Sequence, residues 1–350
     1  MAVSRNGAID RVKTVAIIGT ILIHVSAAGI LAGDVGSLNW SVDLVWACLL
    51  RCAVPLFLMC SGALFLPPEK KLTLRTLWGK YILRIAAALF FWSGAYCLWD
   101  RGFPFVLRDG GAWEAAKGAF LDWVCFRHKY HLYYLVILLA LYAILPLLRL
   151  LAQKGSDSLL RYSLAFWFVC GSLLPVLFAL PPLGYTEGFI REYALPLTWA
   201  MAGYLLAGDY LNRRSRQRRP RTWLLLYLAG LAVTWGGTLI LSRWQGALSE
   251  LFLSGAAPGQ VLEAVGLFGL IRSGTGGRTG PRWAETVSRA SFCIYLLHPL
   301  FLDVLHARGF STAAQSSLWA APVQTALLFA LCFLCWLVLR RIPIVNKYLI

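Results

Sequence analysis

Runs of about twenty apolar residues, separated by short stretches rich in arginine and lysine, repeat along almost the whole chain. They lie near 12–32, 42–66, 77–99, 131–151, 160–180, 191–211, 222–242, 249–271, 286–306 and 318–340. A helix rising ~1.5 Å per residue needs about this length to cross a ~30 Å hydrocarbon core. The pattern predicts an all-α, polytopic membrane protein of about ten transmembrane helices, which an even count gives both termini on one side. The eighth run is interrupted by Ser254-Gly255-Ala256-Ala257-Pro258-Gly259, a break tolerated where a helix is buried against protein. Between the third and fourth runs, Trp113, Ala116, Phe120, Trp123 and Val124 recur at helical spacing opposite Glu114, Lys117 and Asp122. That spacing predicts an amphipathic helix on the outer surface, either a lid over a site or a packing element.

Polar residues inside the apolar runs carry the candidate chemistry, because a titratable group at membrane depth is costly and is a functional candidate by default. In the first run Lys13, Ile17, Thr20 and His24 fall on one helical stripe, with Asp10 close to it. His24 lies about 16 Å beyond Lys13 at ~1.5 Å per residue, roughly half of the hydrocarbon thickness. The competing reading is a histidine that hydrogen-bonds a neighbouring helix. In the second run Arg51 stays charged at depth and needs an anion, a carbonyl or water. Pro55 frees the Arg51 carbonyl four residues back and invites a kink. A structural pair with Asp34 or Asp43 is the alternative for Arg51. The third run opens with Arg75, Lys80 and Arg84, a cluster able to grip phosphates or to snorkel to the interface. The fourth opens with His131 and Tyr133, and the ninth carries Tyr295 and His298-Pro299. Together these predict a polar site opening outward with a basic mouth inward.

Composition agrees with a membrane chain: of 350 residues 59% are hydrophobic and 14% charged, against about a quarter charged in soluble domains. No gap between runs is long enough for a separate soluble domain, so residues 1–350 are expected to form a single transmembrane domain. The net charge of +17 does not point to nucleic acid, because the basic residues sit in alternate loops. One side holds 24 Lys and Arg and the other 8, which orients the richer side, with both termini, to the cytoplasm. The six arginines from Arg213 to Arg221 read as a topology anchor and a contact for membrane lipid headgroups. The nine cysteines include one CxxC, Cys332 and Cys335, without the second pair a zinc site needs. No metal is expected. Arg5, Arg11 and Lys13 ahead of the first run look like the start of a signal peptide, but full span length and His24 favour a retained first helix.

Four stretches occur in an order similar to that of membrane acyltransferase family 3: Asp10 through His24; Arg51-x-x-x-Pro55 with Ser61-Gly62; His131-Leu-Tyr-Tyr-Leu135 with Tyr142 and Pro146; and Ser288-x-x-Ser291-x-x-Ile294-Tyr295-x-x-His298. The resemblance covers nearly the whole chain. It is closest to bacterial O-acetyltransferases of surface glycans, such as the enterobacterial common antigen type. It implies a ten-helix enzyme of the bacterial inner membrane. Such an enzyme moves an acyl group, with acetyl as the first expectation, from cytoplasmic acyl-CoA (acetyl-CoA) to a hydroxyl of an extracytoplasmic or lipid-linked glycan. Under it His24 is the catalytic base in a motif completed by Asp10 and by Lys13, which stands where the family has arginine. Arg51, His131, Tyr133 and His298 would orient the acceptor or stabilise the oxyanion, and Tyr133 stands where the family usually has tryptophan. Arg75, Lys80 and Arg84 would hold the CoA phosphates. Direct transfer and an acyl-histidine intermediate are both compatible with these residues. The rival class is a transporter or flippase for a lipid-linked glycan or small solute, which intramembrane charges and a kinked helix also suit. Transporters often show two related halves, and no internal repeat is visible here. A non-catalytic membrane scaffold is a third reading.

Overall fold

A computed structural model describes residues 6–102, 112–125, 127–180, 197–214, 219–275 and 280–350, and all regular structure among them is helical. In chain order the main helices are α1 (Gly7–Ala32), α2 (Leu38–Leu49), α3 (Ala53–Phe65), α4 (Leu83–Asp100), α5 (Ala112–Val124), α6 (Tyr133–Ala143), α7 (Leu145–Lys154), α8 (Asp157–Phe168), α9 (Leu174–Ala179), α10 (Ala202–Arg214), α11 (Pro220–Gln245), α12 (Pro258–Thr275), α13 (Arg282–Ala307), α14 (Ser317–Leu339) and α15 (Pro343–Tyr348). Among the described residues eight segments are long and apolar enough to cross a membrane, or nine if α6 and α7 form one bent span. Pro146, in the first turn of α7, accounts for that bend, since it has no N–H to continue the helix before it. The predicted run at 191–211 lies partly outside the described residues; the rest of it is Leu197–Ala200 and the start of α10. The chain is therefore an all-α, multi-pass membrane protein.

Contacts divide the chain into two units, residues 1–71 with 145–336, and residues 72–144 with 337–350. In the first unit α1 packs against α2, α3, α12 and α13. Its Val12, Ala16, Ile17, Ile21 and Val25 are all fully buried, so the first run is an interior helix. Helix α3 lies directly on α10. A methyl group at Gly62 would sit 1.9 Å from the Leu205 carbonyl oxygen, and one at Gly208 would sit 2.0 Å from that of Met59. Such backbone-to-backbone approach is how helices associate where no hydrophobic driving force separates protein from lipid.

The second predicted span is broken in its middle. Helix α2 stops at Leu49 and α3 restarts at Ala53, leaving Leu50, Arg51 and Cys52 outside both. Pro55 is the local cause. It cannot donate to the Arg51 carbonyl, yet it is tolerated in the first turn of a new helix, where N–H groups have no intrahelical partner. The Arg51 N–H instead bonds the Cys48 carbonyl at 3.1 Å, and the Ala53 N–H bonds that of Leu50 at 3.0 Å.

In the second unit the predicted amphipathic helix is α5, and it packs along α4. Trp123 Nε1 donates to the Phe90 carbonyl at 3.1 Å, its ring lies 4.4 Å from that of Phe90, and Arg101 Nε donates to Asp122 at 2.8 Å. Trp113, Phe120, Leu121 and Val124 stay exposed on its other side. The side chain of Trp92 donates to the Leu349 carbonyl at 2.9 Å, and Arg84 donates to that of Ile350, so α4 also carries the residues after α15.

Candidate functional site

His24 sits two-thirds of the way along α1 and is partly exposed, although the helix around it is buried. Its ring stacks on that of His298 from α13, with centroids 5.1 Å apart and planes inclined by 30°. The imidazole expected at depth therefore faces a second histidine inside the first unit.

His298 is fully buried, and its orientation follows from the residue after it. Pro299 lies inside α13 and offers no N–H to the Tyr295 carbonyl four residues back. His298 Nδ1 fills that vacancy, lying 2.8 Å from the Tyr295 oxygen and 3.2 Å from the Ile294 oxygen. Both partners only accept, so Nδ1 carries the hydrogen and the neutral ring presents a lone pair at Nε2. Neutral His298 is then an acceptor for a hydroxyl and not a donor to an oxyanion, which narrows the role expected from sequence. His298→Phe should keep the stacking volume and orphan the Tyr295 carbonyl, lowering stability by about 1–3 kcal/mol. His298→Phe/Pro299→Ala restores a backbone N–H to that carbonyl and should recover most of the loss. Thermal melts of the detergent-solubilised variants check the order; equal melting of the single and double variants counts against the capping role.

Arg51 projects from the gap between α2 and α3. Its Nε donates to the Leu253 carbonyl at 3.1 Å. Helix α1 meets the gap closely: a methyl at Gly19 would lie 2.7 Å from Leu50 Cβ. Asp43, one of the two acids expected to pair with Arg51, is instead fully buried and accepts a hydrogen bond from Ser317 Oγ at 2.6 Å. Asp34, the other, is exposed.

Glu263 was missed in the sequence. It is fully buried in the interrupted eighth run, and a carboxylate inside an apolar stretch is itself the signal that marks such residues.

The other expected residues fall elsewhere. Asp10 is buried in the first turn of α1 and Lys13 is partly exposed one turn on; the Cys60 thiol of α3 lies 3.9 Å from the Ile9 carbonyl of the same turn. They share the helix of His24 but lie about three to four turns before it, so they do not join the histidine pair. In the second unit His131 is buried in the short 3-10 turn Tyr130–Leu132. Its ring meets Tyr96 edge-on at 5.0 Å, and Lys129, 2.7 Å from Asp100, lies over the same tyrosine. Tyr133 is exposed. Arg75, Lys80 and Arg84 occupy a helical turn (Leu74–Thr76), a π turn (Leu77–Ile82) and the start of α4. Lys80 and Arg84 stand at i,i+4 across the end of the π turn. Arg75 and Lys80 are exposed, whereas Arg84 is engaged by the Ile350 carbonyl. Among the described residues no three His, Cys, Asp or Glu side chains are gathered as a metal ion would require.

A family model described as "Acyltransferase domain" matches residues 6–341 and so runs through residues of both units. No curated protein matches at a significant level, and no solved structure does.

Proposed function

Because the chain belongs to this acyltransferase family, we propose that it is an acyl-CoA-dependent O-acyltransferase of the bacterial inner membrane, with both termini cytoplasmic. It transfers acetyl or a similar acyl group to a hydroxyl of an extracytoplasmic or lipid-linked glycan. The observation that carries this reading is a partly exposed imidazole at mid-span, stacked on a second imidazole whose tautomer is set by a proline-freed carbonyl. The 24 to 8 division of basic residues supports the orientation.

His24 acts as the base. One ring nitrogen takes the proton of the acceptor hydroxyl while that oxygen bonds to the acyl carbon and the carbon–sulfur bond breaks. The imidazolium then returns the proton to the departing CoA thiolate. His298 Nε2, a lone-pair site, orients the acceptor hydroxyl, and the Arg51 charge favours the oxyanion of the tetrahedral intermediate. Arg75 and Lys80, with Arg84, hold the donor phosphates; His131 and Tyr133 contribute to acceptor recognition. Asp10 and Lys13 belong to the basic end of α1 and act through its placement.

Two measurements test the reading. Acetyl-CoA or CoA at a hundredfold excess over its Kd should stabilise the purified protein by about 2.7 kcal/mol and raise its melting temperature. Mass spectrometry of envelope glycans should show one ester lost from cells lacking the protein. Arg75→Ala/Lys80→Ala should raise the apparent KM for the donor and leave kcat nearly unchanged, as expected when uniform binding is removed. This pair is the cleaner choice because Arg84 also anchors residue 350. An unchanged KM excludes the phosphate assignment.

A further inference from the structure

We propose that Thr312 is a positioning residue of the acyl-transfer centre: its hydroxyl ties the loop between α13 and α14 into the turn of α1 that follows His24, and so holds the two imidazole-bearing helices together at that end. The inference rests on the function proposed above and adds a residue to it.

The tie enters the backbone of α1. The Val25 carbonyl and the Gly29 N–H stand at i and i+4, the two ends of one step of the helical ladder. Thr312 Oγ1 bonds both: it accepts from the Gly29 N–H at 3.0 Å and donates to the Val25 carbonyl at 3.2 Å. A side chain inserted into that ladder is one of the few things that bend a helix, and Val25 is the residue next to His24. Glycine makes the entry possible. A methyl group at Gly29 would lie 3.0 Å from Thr312 Oγ1 and 1.7 Å from Asp43 Oδ2, so a β-carbon there would displace both.

Helix α2 fixes the loop around this hydroxyl. Thr312 is fully buried. Asn39 Nδ2 donates to the Thr312 carbonyl at 2.9 Å, and Asn39 Oδ1 accepts from the Ser317 N–H at 2.7 Å. Asp43 Oδ2 accepts from Ser317 Oγ at 2.6 Å, so the start of α14 is tied to α2 as well. Thr312 follows shortly after Ala307, the last residue of α13, which is the helix of His298. At their other ends the same two helices meet where Thr14 Oγ1 lies 3.5 Å from the Ala284 carbonyl. Along both helices the His24–His298 stack, with centroids 5.1 Å apart, lies between these two meeting points. That spacing decides whether one acceptor hydroxyl can meet both rings, and a displacement of about 1 Å at a reacting centre can cost about 100-fold in rate.

The experiment uses the full-length purified protein and two readouts. The first needs no transfer: the rate of His24 ethoxycarbonylation by diethyl pyrocarbonate, followed peptide by peptide by mass spectrometry, with His128 of the second unit as the reference. Thr312→Val keeps the shape and removes the hydroxyl. The Gly29 N–H and the Val25 carbonyl can then bond each other, so the melting temperature should stay within about 4 °C of wild type. With the tie gone, α1 and α13 part more readily beside the rings, and His24 labelling should rise about threefold or more. The second readout is steady-state transfer: kcat should fall about tenfold or more with the donor KM within about twofold of wild type. Thr312→Ser, which keeps the hydroxyl, should match wild type in both. If Thr312→Val yields no folded protein, Thr312→Ala takes its place with the same expectations for labelling and kcat. Unaltered His24 labelling in the folded variant, or transfer at the wild-type kcat, overturns the proposal. A lower melting temperature with both readouts unchanged marks a structural tie only and overturns it as well. If the wild type transfers no acyl group while labelling rises in Thr312→Val and not in Thr312→Ser, the tie stands and the transferase reading fails. If the wild type transfers and both readouts ignore Thr312→Val, the tie fails and the transferase reading stands.

Discussion

His24→Ala is expected to lower acyl transfer from radiolabelled acetyl-CoA by about 100- to 10,000-fold, the usual contribution of a positioned general base. The protein should still fold. His24 is partly exposed, and α1 is held by fully buried Val12, Ala16, Ile17, Ile21 and Val25, none of which the change touches. What is lost on the structural side is one ring face against His298, a contact worth about 0.5–1.5 kcal/mol by analogy with other stacked rings. The loss should therefore appear in kcat, with little change in the melting temperature. Transfer at the wild-type rate by folded His24→Ala would remove the base from the mechanism.

Gly62→Leu is expected to have the largest effect on stability. A β-carbon at this position would lie 1.9 Å from the Leu205 carbonyl oxygen and 2.5 Å from its carbonyl carbon. These are backbone atoms of α10, so no rotamer change can clear them; the two helices must separate. Overpacking usually costs about 1–3 kcal/mol and more where backbone has to move. Separating α3 from α10 also strips contacts from Met59 and Leu205, both fully buried. The variant should yield little folded protein, measured as the monodisperse fraction after detergent extraction. Gly208→Leu should behave alike, since a methyl there meets the Met59 carbonyl at 2.0 Å. Gly246→Leu is a control only for crowding, because its φ of +68° strains any side chain even in open space. A well-folded Gly62→Leu would show that α3 and α10 are packed less closely than described.

Several features were legible from residues alone because they follow from one-dimensional rules. An apolar run of span length has to satisfy its own backbone, so α1, α4, α11, α13 and α14 could be read directly. Pro55 marked a kink at Arg51, since a missing N–H acts on a residue at fixed separation, though not that the helix would stop and restart there. His24 stood out because a titratable group inside such a run is rare. The partner of Arg51 was not legible in the same way. Asp34 and Asp43 were near in sequence, but Asp43 accepts from Ser317, Asp34 is exposed, and the guanidinium of Arg51 donates to the Leu253 carbonyl, more than two hundred residues on.

The sequence by itself determined the helical class, the membrane setting, the place where the second span bends and the identity of the imidazole at depth, because periodicity, length and proline act along the chain. Tertiary structure alone decided that His24 faces His298, that His298 is turned by the carbonyl Pro299 leaves open, and that Asp43 pairs with Ser317 while Arg51 takes the Leu253 carbonyl. Those outcomes depend on which helix faces come together, and in a membrane protein that choice is made by close packing at positions such as Gly62 and Gly208, with no polarity pattern along the chain to announce it.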